Sequence, residues 1–311
     1  MKIAFFSEEG VNQKYPRNFE NARTECAWAI ALDAPMCALD VLPNEHFDLG
    51  IVIVPKTNPN INLDFIRNCC DKVAVMQEGP HWYFQDYTVE EQFIYFNTLM
   101  SADWVYCHNE SDVSYFMGLG CKDVRVMRSL MIPEGLKSTQ TSGAGGTLIG
   151  GNFVSWYGGF DSYIVARELG DAITSPSMGR KQPQEDLIED INYLDYMTWR
   201  EWIDSISKYN IGIHLMRTHA AGTFSMNLSY HGIPCVGYKG LDTQQILHPL
   251  TSVEVGDLQK AKEVALQLKN DKSFYKLCRE TTLKRFESYY TEKAWRENWE
   301  KTNGLVNTNT G

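Results

Sequence analysis

The sequence lacks the features that mark several protein classes. Its eight cysteines form no Cys-x-x-Cys pair, which favours reduced, buried thiols over a zinc site or a disulfide framework. No apolar run approaches the roughly 20 residues that a membrane-spanning helix needs. The first residues run into a strand-like segment without the pattern of a signal peptide. These absences predict a cytoplasmic protein with no segment inserted into a membrane.

The sequence also lacks an excess of basic over acidic residues. The formal net charge is -10 and the sequence pI is about 5.2. Proteins whose main task is to grip nucleic acid usually carry a basic face, because neutralised phosphates supply much of their affinity. The acidic balance therefore counts against such a task, although it leaves room for a local basic groove. The chain does have 311 residues, 43% of them hydrophobic, which predicts a folded protein of two domains.

Short apolar runs alternate with helix-period stretches along the whole chain, a pattern that predicts βαβ units and parallel sheets. The strand-like runs of the first half are Ile3–Phe6, Leu49–Val54, Val73–Met76, Trp104–Cys107 and Val124–Met127. Those of the second half are Thr147–Gly150, Ala172–Ser175, Ile191–Leu194, Ile211–Leu215, Cys235–Gly237 and Ser252–Val255. The expected fold is α/β, with two tandem Rossmann-like domains.

A change of composition separates the two halves. The segment Lys137–Gly146, KSTQTSGAGG, is small, polar and glycine-rich, as is typical of a linker. We therefore expect one Rossmann-like domain over residues 1–136, a linker over 137–146, and a second such domain over 147–290. A C-terminal helix that crosses back to the first domain, followed by a tail, is expected over residues 291–311.

The segment Tyr209–Gly237 carries the most specific pattern. A buried strand is followed by a loop and by a helix that opens at Gly222 and Thr223. A helix N-terminus beyond a strand presents unpaired N–H groups, which suit a diphosphate, and glycine lets the phosphates approach. Arg217 and Thr223 can add direct donors. Spacing alone equally fits an ordinary strand–helix–strand unit of a doubly wound sheet.

Two runs in this segment resemble the donor site of GT-B glycosyltransferases, particularly the retaining group related to glycogen synthases. That group has Glu-Gly-Phe-Gly-Leu followed by Glu-Ala-Met-Ala-x-Gly-x-Pro-Val, where this sequence has HAAGT and then NLSYHGIPC. The resemblance implies two Rossmann-like domains that face a central cleft, with the acceptor on the N-terminal side and the nucleotide sugar on the C-terminal side. His219 replaces the first Glu, beside the sugar, and Asn227 replaces the second, at the ribose hydroxyls.

The same resemblance implies further donor-binding residues. The loop LDYM after the strand Ile191–Leu194 would place Tyr196 against the base. The Gly turn after the strand at 147–150 would bring Gly151 and Asn152 to the donor. Gly10 would face the cleft from the loop after the first strand.

The cations that clasp the diphosphate in the family are absent after the Gly turn. They must come from elsewhere, and Arg217, Arg180 and Lys181 are the alternatives. Because no Asp-x-Asp stands at a strand end, we expect no metal and no cofactor besides the nucleotide sugar.

The loop QEGPHW after the strand Val73–Met76 holds the candidates for a general base, Glu78 and His81. A structural role in the loop is an equal alternative for each. Trp82, Tyr83 and Trp156 are the rings expected on the acceptor side. The run from Cys107 to Asp112, CHNESD, stands where the resembling family has a Ser-Glu pair that caps a helix. Its polar side chains are therefore expected to cap the following helix rather than to act in catalysis.

The sequence thus predicts transfer of a sugar from a nucleotide sugar to an acceptor hydroxyl, by a retaining or an inverting course. The replaced acidic pair leaves a non-catalytic nucleotide-sugar-binding module as the alternative. The run MQEGPHWYFQDY, with HNESDVSYFMGLG after it, resembles glycosyltransferases of tailed bacteriophages. That resemblance implies a hydroxymethylated base in phage DNA as acceptor, in the host cytoplasm, with a glycan as the other possibility.

Overall fold

The computed structural model describes residues 1–55, 58–77, 84, 87–136, 145–151, 153, 157–176 and 181–304. Its contacts divide the chain into two compact units. Unit 1 comprises Met1–Ile132, His219–Ala221 and Thr291–Gly311, and unit 2 comprises Pro133–Thr218 and Gly222–Tyr290. The division falls just before the expected linker, of which residues 137–144 lie outside the described part.

Unit 1 contains a six-stranded sheet of order β2-β1-β3-β4-β5-β6, with every neighbouring pair parallel. Its strands are β1 (Ile3–Ser7), β2 (Met36–Ala38), β3 (Phe47–Val54), β4 (Cys70–Gln77), β5 (Trp104–Cys107) and β6 (Val124–Val126). Its first four helices are α1 (Thr24–Ala31), α2 (Leu63–Arg67), α3 (Val89–Ser101) and α4 (Val113–Leu119). The strand order reverses between β1 and β3, where the carboxyl ends of parallel strands open a crevice.

The central strands of unit 1 are buried because their residues are almost continuously apolar, as expected for a parallel sheet covered on both faces. Seven of the eight residues of β3 are buried. The thiols are buried as well: all eight cysteines of the chain are free, and all but Cys26 are buried. Burial raises the pKa of the Cys37 thiol to about 12, so these side chains act as small apolar groups. The expectation of buried thiols is confirmed for seven of the eight cysteines, and their reduced state stays a prediction.

Unit 2 repeats the architecture with a six-stranded parallel sheet of order β12-β11-β10-β7-β8-β9. Its strands are β7 (Thr147–Ile149), β8 (Ile173–Pro176), β9 (Ile191–Leu194), β10 (Ile211–His214), β11 (Cys235–Tyr238) and β12 (Ser252–Val253). Its helices are α5 (Gly159–Arg167), α6 (Trp199–Ile206), α7 (Thr223–Tyr230), α8 (Asp242–Leu247), α9 (Leu258–Asn270) and α10 (Lys272–Tyr289). The prediction of two Rossmann-like α/β domains is confirmed.

The charged stretch at the end of the chain forms two helices. α10 ends at Tyr289, and α11 (Glu292–Thr302) begins after Thr291, whose hydroxyl accepts the Ala294 N–H at 3.4 Å. α11 packs in unit 1 through two buried tryptophans, Trp295 and Trp299. Within the part of the chain that the structure describes, no helix has the length and apolarity to cross a bilayer.

Candidate functional site

The strand order of unit 2 reverses between β7 and β10, which pair directly, with Ile149 opposite Ile213. In open α/β sheets, ligands bind at such a reversal, outside the carboxyl ends of the two strands. Two glycines follow β7 there. A Cβ on Gly150 would lie 2.7 Å from the ring of His214, and one on Gly151, whose φ is +75°, would lie 2.6 Å from the Tyr157 carbonyl oxygen. The turn therefore requires glycine at both positions.

Two helices begin just beyond these strands, and both have a glycine N-cap in the left-handed region. Gly158 precedes α5 with φ +66°, and Gly222 precedes α7 with φ +61°. A Cβ at Gly158 would lie 2.1 Å from the Leu215 carbonyl oxygen, and one at Gly222 would lie 2.2 Å from Thr243 Oγ1. Gly222 was expected from the sequence and Gly158 was not, although the Gly158–Gly159 pair was a signal for it.

No side chain caps either helix at its N-cap position. The first N–H groups of a helix lack partners within it, and the helix dipole favours negative charge at that end. Thr223, the half-buried first residue of α7, adds a hydroxyl at the same place. Together the two helix ends can bind an anion such as a diphosphate.

Arg217 is held beside the first turn of α5. Its Nη2 lies 2.8 Å from Asp161 Oδ2, which also accepts the hydroxyl of Tyr238 at 3.2 Å. The Arg217 side chain is 58% exposed and that of Asp161 is 14% exposed. The bond to Asp161 raises the pKa of Arg217, while burial, followed by the Asp161 charge, raises the pKa of Tyr238 to about 12. The guanidinium therefore stays charged and oriented.

The other two cation alternatives differ from Arg217. Arg180 lies outside the described residues. Lys181 pairs with Asp186 and places its ammonium 4.4 Å from the centre of the Tyr193 ring. It thus belongs to the segment between β8 and β9.

Two of the predicted donor-binding residues, Tyr196 and Asn227, differ in solvent exposure. Tyr196, in the loop after β9, is 67% exposed, as a ring that stacks on a base would be before binding. Asn227, on α7, is 3% exposed, and its Oδ1 has no hydrogen-bond partner among the described residues. A buried polar atom without a partner is unfavourable, so this oxygen would gain from a ligand hydroxyl.

His214, the last residue of β10, was not expected at the site from the sequence. Burial lowers the pKa of its imidazole to about 4, and its Nδ1 has no hydrogen-bond partner in the described part of the chain. Its ring centre lies 5.0 Å from that of Phe224, which is 6.2 Å from that of Trp202. These rings pack beneath the Gly150 turn, and the alternating strand pattern gave no signal for them.

In unit 1, His219 is bound to a buried carboxylate. Its Nδ1 lies 2.8 Å from Asp112 Oδ1 and 3.2 Å from Ser111 Oγ. The Asn109 amide donates to Asp112 Oδ2 at 2.9 Å and to the Ala220 carbonyl oxygen at 3.1 Å. This network anchors residues 219–221 in unit 1, helped by the Ser129 hydroxyl, which donates to the Ala221 carbonyl oxygen at 2.9 Å.

The expectation that the run from Cys107 to Asp112 caps the next helix is wrong at both N-cap positions. Neither the Asn109 nor the Asp112 side chain makes a capping bond. The 3₁₀ turn Glu110–Asp112 runs directly into α4, and Asp112 itself has helical dihedral angles. Its carboxylate is therefore directed to His219 rather than to the amides of α4.

Gly10 follows β1 at the reversal point of the unit 1 sheet. Its N–H donates to the Ser7 carbonyl oxygen at 3.1 Å, and a Cβ there would lie 1.9 Å from the Cys37 carbonyl oxygen. The position requires glycine for close backbone packing, and its role toward a donor stays a prediction. The other predicted site residues lie outside the described residues: Glu78, His81, Trp82, Tyr83, Asn152 and Trp156.

No protein-family model and no curated protein matches the sequence. Solved structures do match. Sucrose-phosphate synthase from Thermosynechococcus elongatus has a TM-score of 0.67 and 11% identity over 98% of both chains. HepE of Anabaena, in complex with UDP and glucose, has a TM-score of 0.64 and 9% identity, over 98% of this chain and 100% of that one.

An alpha-glucosyltransferase in complex with UDP and a DNA 13-mer that contains an HMU base also matches. Its TM-score is 0.61 at 14% identity, over 97% of this chain and 99% of that one. These likenesses extend over nearly the whole of each chain. Together with the two parallel sheets, they show that this protein has the two-domain GT-B fold of glycosyltransferases.

Proposed function

We propose that this protein is a glycosyltransferase that moves a hexosyl or pentosyl group from a nucleotide sugar to an acceptor hydroxyl. The observation that carries the proposal is the pair of glycine-capped helix N-termini, α5 and α7, at the strand-order reversal of unit 2. The charged Arg217 lies beside the first of them. Two of the structural neighbours were solved with UDP, one together with glucose and one together with DNA.

In this proposal the two helix ends and Arg217 bind the diphosphate and stabilise the charge that develops on it as the sugar leaves. The unpartnered Oδ1 of Asn227 accepts a ribose hydroxyl, and Tyr196 stacks on the base. His219 lies beside the sugar, and Glu78 or His81 serves the acceptor side. The diphosphate needs no metal, because its charge is met by protein groups.

For the acceptor we propose a hydroxymethylated base in DNA, with a glycan as the second class to test. The support is the neighbour that was solved with UDP and DNA containing an HMU base. The net charge of -10 means that DNA would bind through a local surface, so salt would weaken binding and turnover. A panel of hydroxymethylated oligonucleotides, unmodified oligonucleotides and glycans, each with radiolabelled donor, distinguishes the two classes.

The first experiment is a thermal-shift screen with UDP, GDP, ADP, CMP and dTDP and their common sugar conjugates. A ligand present at 100 times its Kd stabilises the native state by about 2.7 kcal/mol, enough to raise the melting temperature by several degrees. We expect one nucleotide to give such a shift. Arg217→Ala should weaken its binding by roughly 10-fold or more, because charge-assisted bonds contribute about 1.5–3 kcal/mol.

Arg167→Ala is the matched control. Arg167 ends α5, its side chain is 59% exposed, and it also pairs with an aspartate, Asp190, at 3.5 Å. It should leave nucleotide affinity unchanged because it lies at the opposite end of the helix from Asp161. The absence of any shift at millimolar nucleotide, or equal losses in both variants, would contradict the donor site. A protein that binds a nucleotide sugar tightly but releases no nucleoside diphosphate with any acceptor would favour the non-catalytic nucleotide-sugar-binding module.

A further inference from the structure

We propose that Asp161 is a positioning residue of the donor site, which fixes the Arg217 guanidinium so that its remaining N–H groups meet the diphosphate. The inference rests on the proposed function and deepens it, because it assigns a role in nucleotide binding to a carboxylate. All the residues that carry it belong to unit 2.

The backbone that leads to Arg217 is held by the first turn of α5. The buried Ser162 hydroxyl accepts the Leu215 N–H at 2.9 Å and donates to the Gly158 carbonyl oxygen at 2.8 Å. A Cβ at Gly158 would lie 2.1 Å from the Leu215 carbonyl oxygen, so the start of the helix and the chain after β10 are in close contact. Arg217 follows two residues later, and its main chain is therefore tied to the N-terminus of α5.

The end of the Arg217 side chain is held by the neighbour of Ser162 in the same turn, Asp161. Its Oδ2 lies 2.8 Å from Arg217 Nη2 and accepts the Tyr238 hydroxyl at 3.2 Å. Tyr238 is the last residue of β11 and is fully buried, so the carboxylate is itself held by the sheet. The Asp161 side chain is 14% exposed and that of Arg217 is 58% exposed. The anchor is therefore largely buried, while the guanidinium reaches solvent.

The contact with Asp161 leaves most of the guanidinium available to a ligand. The group has five N–H donors in a planar fork that matches phosphate oxygens. Among the described residues, Nη2 is the only nitrogen of Arg217 that bonds to a carboxylate. A side chain that is already ordered loses less conformational entropy when it binds. Asp161 thus prepares Arg217 for the diphosphate without occupying all of its donors.

The charge of Asp161 gives this inference a definite sign. The residue lies in the first turn of α5, beside the place where the diphosphate is proposed to bind. Two negative charges repel each other, so if Asp161 acted through its charge alone, its removal would strengthen nucleotide binding. Positioning predicts the opposite result, because the ligand would then have to order Arg217 itself. The direction of the change in affinity separates the two roles.

The same helix provides a matched control. Asp190 accepts the hydroxyl of Tyr163 at 2.6 Å and pairs with Arg167 at 3.5 Å, so it holds the same two residue types as Asp161. Arg167 is the last residue of α5, at the opposite end from the proposed donor site. Asp190→Ala therefore removes equivalent contacts without touching the residues proposed to bind nucleotide.

The first measurement needs no ligand. It compares ¹⁵N–¹H correlation spectra of the guanidinium groups in the full chain, in Asp161→Ala and in Asp190→Ala, with Arg217→Ala to assign the signals. We expect separate Nη resonances for Arg217 in the wild type and in Asp190→Ala, because the bond to Asp161 slows rotation of the group. They should average in Asp161→Ala. A wild type with averaged Arg217 signals, or signals unchanged in Asp161→Ala, would overturn the positioning.

The second measurement is calorimetric titration with UDP, or with the nucleotide that gives the shift in the screen. Asp161→Ala should weaken binding by roughly 10-fold, because Arg217 then loses much of its charge-assisted contact with the diphosphate. Asp190→Ala should leave the affinity unchanged. In the Arg217→Ala background, Asp161→Ala should have no further effect, since it acts through Arg217. Tighter binding by Asp161→Ala, or an equal loss in both backgrounds, would refute the inference.

Asp161→Asn keeps the shape of the side chain and replaces Asp161→Ala if the alanine variant does not fold. Its amide oxygen still accepts a bond from Arg217 but carries no charge, so the loss of affinity should have the same direction and be smaller. An asparagine variant that binds nucleotide more tightly than the wild type would also refute the inference. A wild type that binds no nucleotide would count against the proposed function, while the guanidinium spectra still decide whether Asp161 positions Arg217.

Discussion

Trp28 and Trp295 donate their indole N–H groups to one backbone oxygen, that of Arg128, at 2.8 and 2.7 Å. Trp28 lies on α1 and Trp295 on α11, and both are buried. A carbonyl oxygen has two lone pairs, so it can satisfy both indoles at once. Helices from opposite ends of the sequence are therefore joined through a single peptide group of unit 1.

This arrangement predicts a graded loss of stability. Trp295→Ala should lower the free energy of unfolding by about 3–5 kcal/mol, because it leaves a large cavity. Trp295→Phe removes only the N–H and part of the ring, and Arg128 keeps its bond to Trp28. It should therefore cost about 1–2 kcal/mol. Urea denaturation measures both values. Phe93→Ala, at a site on α3 that is 64% exposed, should change stability by less than about 0.5 kcal/mol, and an equal loss there would refute the assignment.

The helix start at Gly158 gives a second prediction with a matched control. Gly158 and Gly170 have nearly the same φ, +66° and +63°, but only Gly158 would place a Cβ against backbone, 2.1 Å from the Leu215 carbonyl oxygen. Both alanine variants incur the left-handed strain of roughly 1–2 kcal/mol. Gly158→Ala must also displace the chain after β10.

Gly158→Ala should thus be clearly less stable than Gly170→Ala, and it should bind nucleotide more weakly because the N-terminus of α5 moves. Thermal denaturation with and without the nucleotide from the screen tests both effects. Equal melting temperatures for the two variants would show that the close approach at Gly158 has no energetic consequence.

Stability should also depend on pH through His214. Burial lowers the pKa of this imidazole from 6.5 to about 4, so between these values the unfolded chain binds a proton that the native state excludes. Above pH 6.5 the imidazole is neutral in both states, and His214 costs no stability. As the pH falls from 6.5 toward 4, the free energy of unfolding decreases by at most about 3 kcal/mol. His214→Leu removes the titration. Urea midpoints at pH 7 and pH 4.5 should therefore differ less in the variant, and an unchanged difference would contradict the assignment.

Nucleotide binding and turnover should survive removal of metal ions. The sequence has no Asp-x-Asp at a strand end, and the proposed diphosphate ligands are Arg217 and the two helix ends. Dialysis against EDTA should leave the nucleotide-induced thermal shift and the release of UDP unchanged. A loss that added Mg²⁺ or Mn²⁺ restores would show that a metal takes part.

The alternation of apolar runs was sufficient to predict both sheets, because strands buried on both faces must be continuously apolar. The predicted strands at 104–107 and 191–194 have the observed bounds. Strand β2 was missed, since Met36–Ala38 is an edge strand of three residues that directly follows a proline and is too short to show a period.

Site residues such as Gly222 and Arg217 could be predicted, because each is a glycine or a charged residue within a recognisable sequence motif. Contacts between side chains from distant segments of the chain could not be predicted. Asp112 and His219 are 2.8 Å apart, but they are far apart in the sequence, and no local pattern links them. The same holds for Asp161, which meets Arg217 only after β10 is placed next to β7.

Unit 1 is discontinuous, since it contains the first residues of the chain, residues 219–221 and the segment Thr291–Gly311. During synthesis its sheet emerges before unit 2, whereas Trp295 emerges after it. At roughly 5–20 residues per second, translation of the residues of unit 2 takes on the order of ten seconds. Unit 1 therefore stays incomplete while all of unit 2 is made. Until Trp295 emerges, the Arg128 carbonyl lacks one of its two indole donors, so unit 2 can complete its fold before unit 1 does.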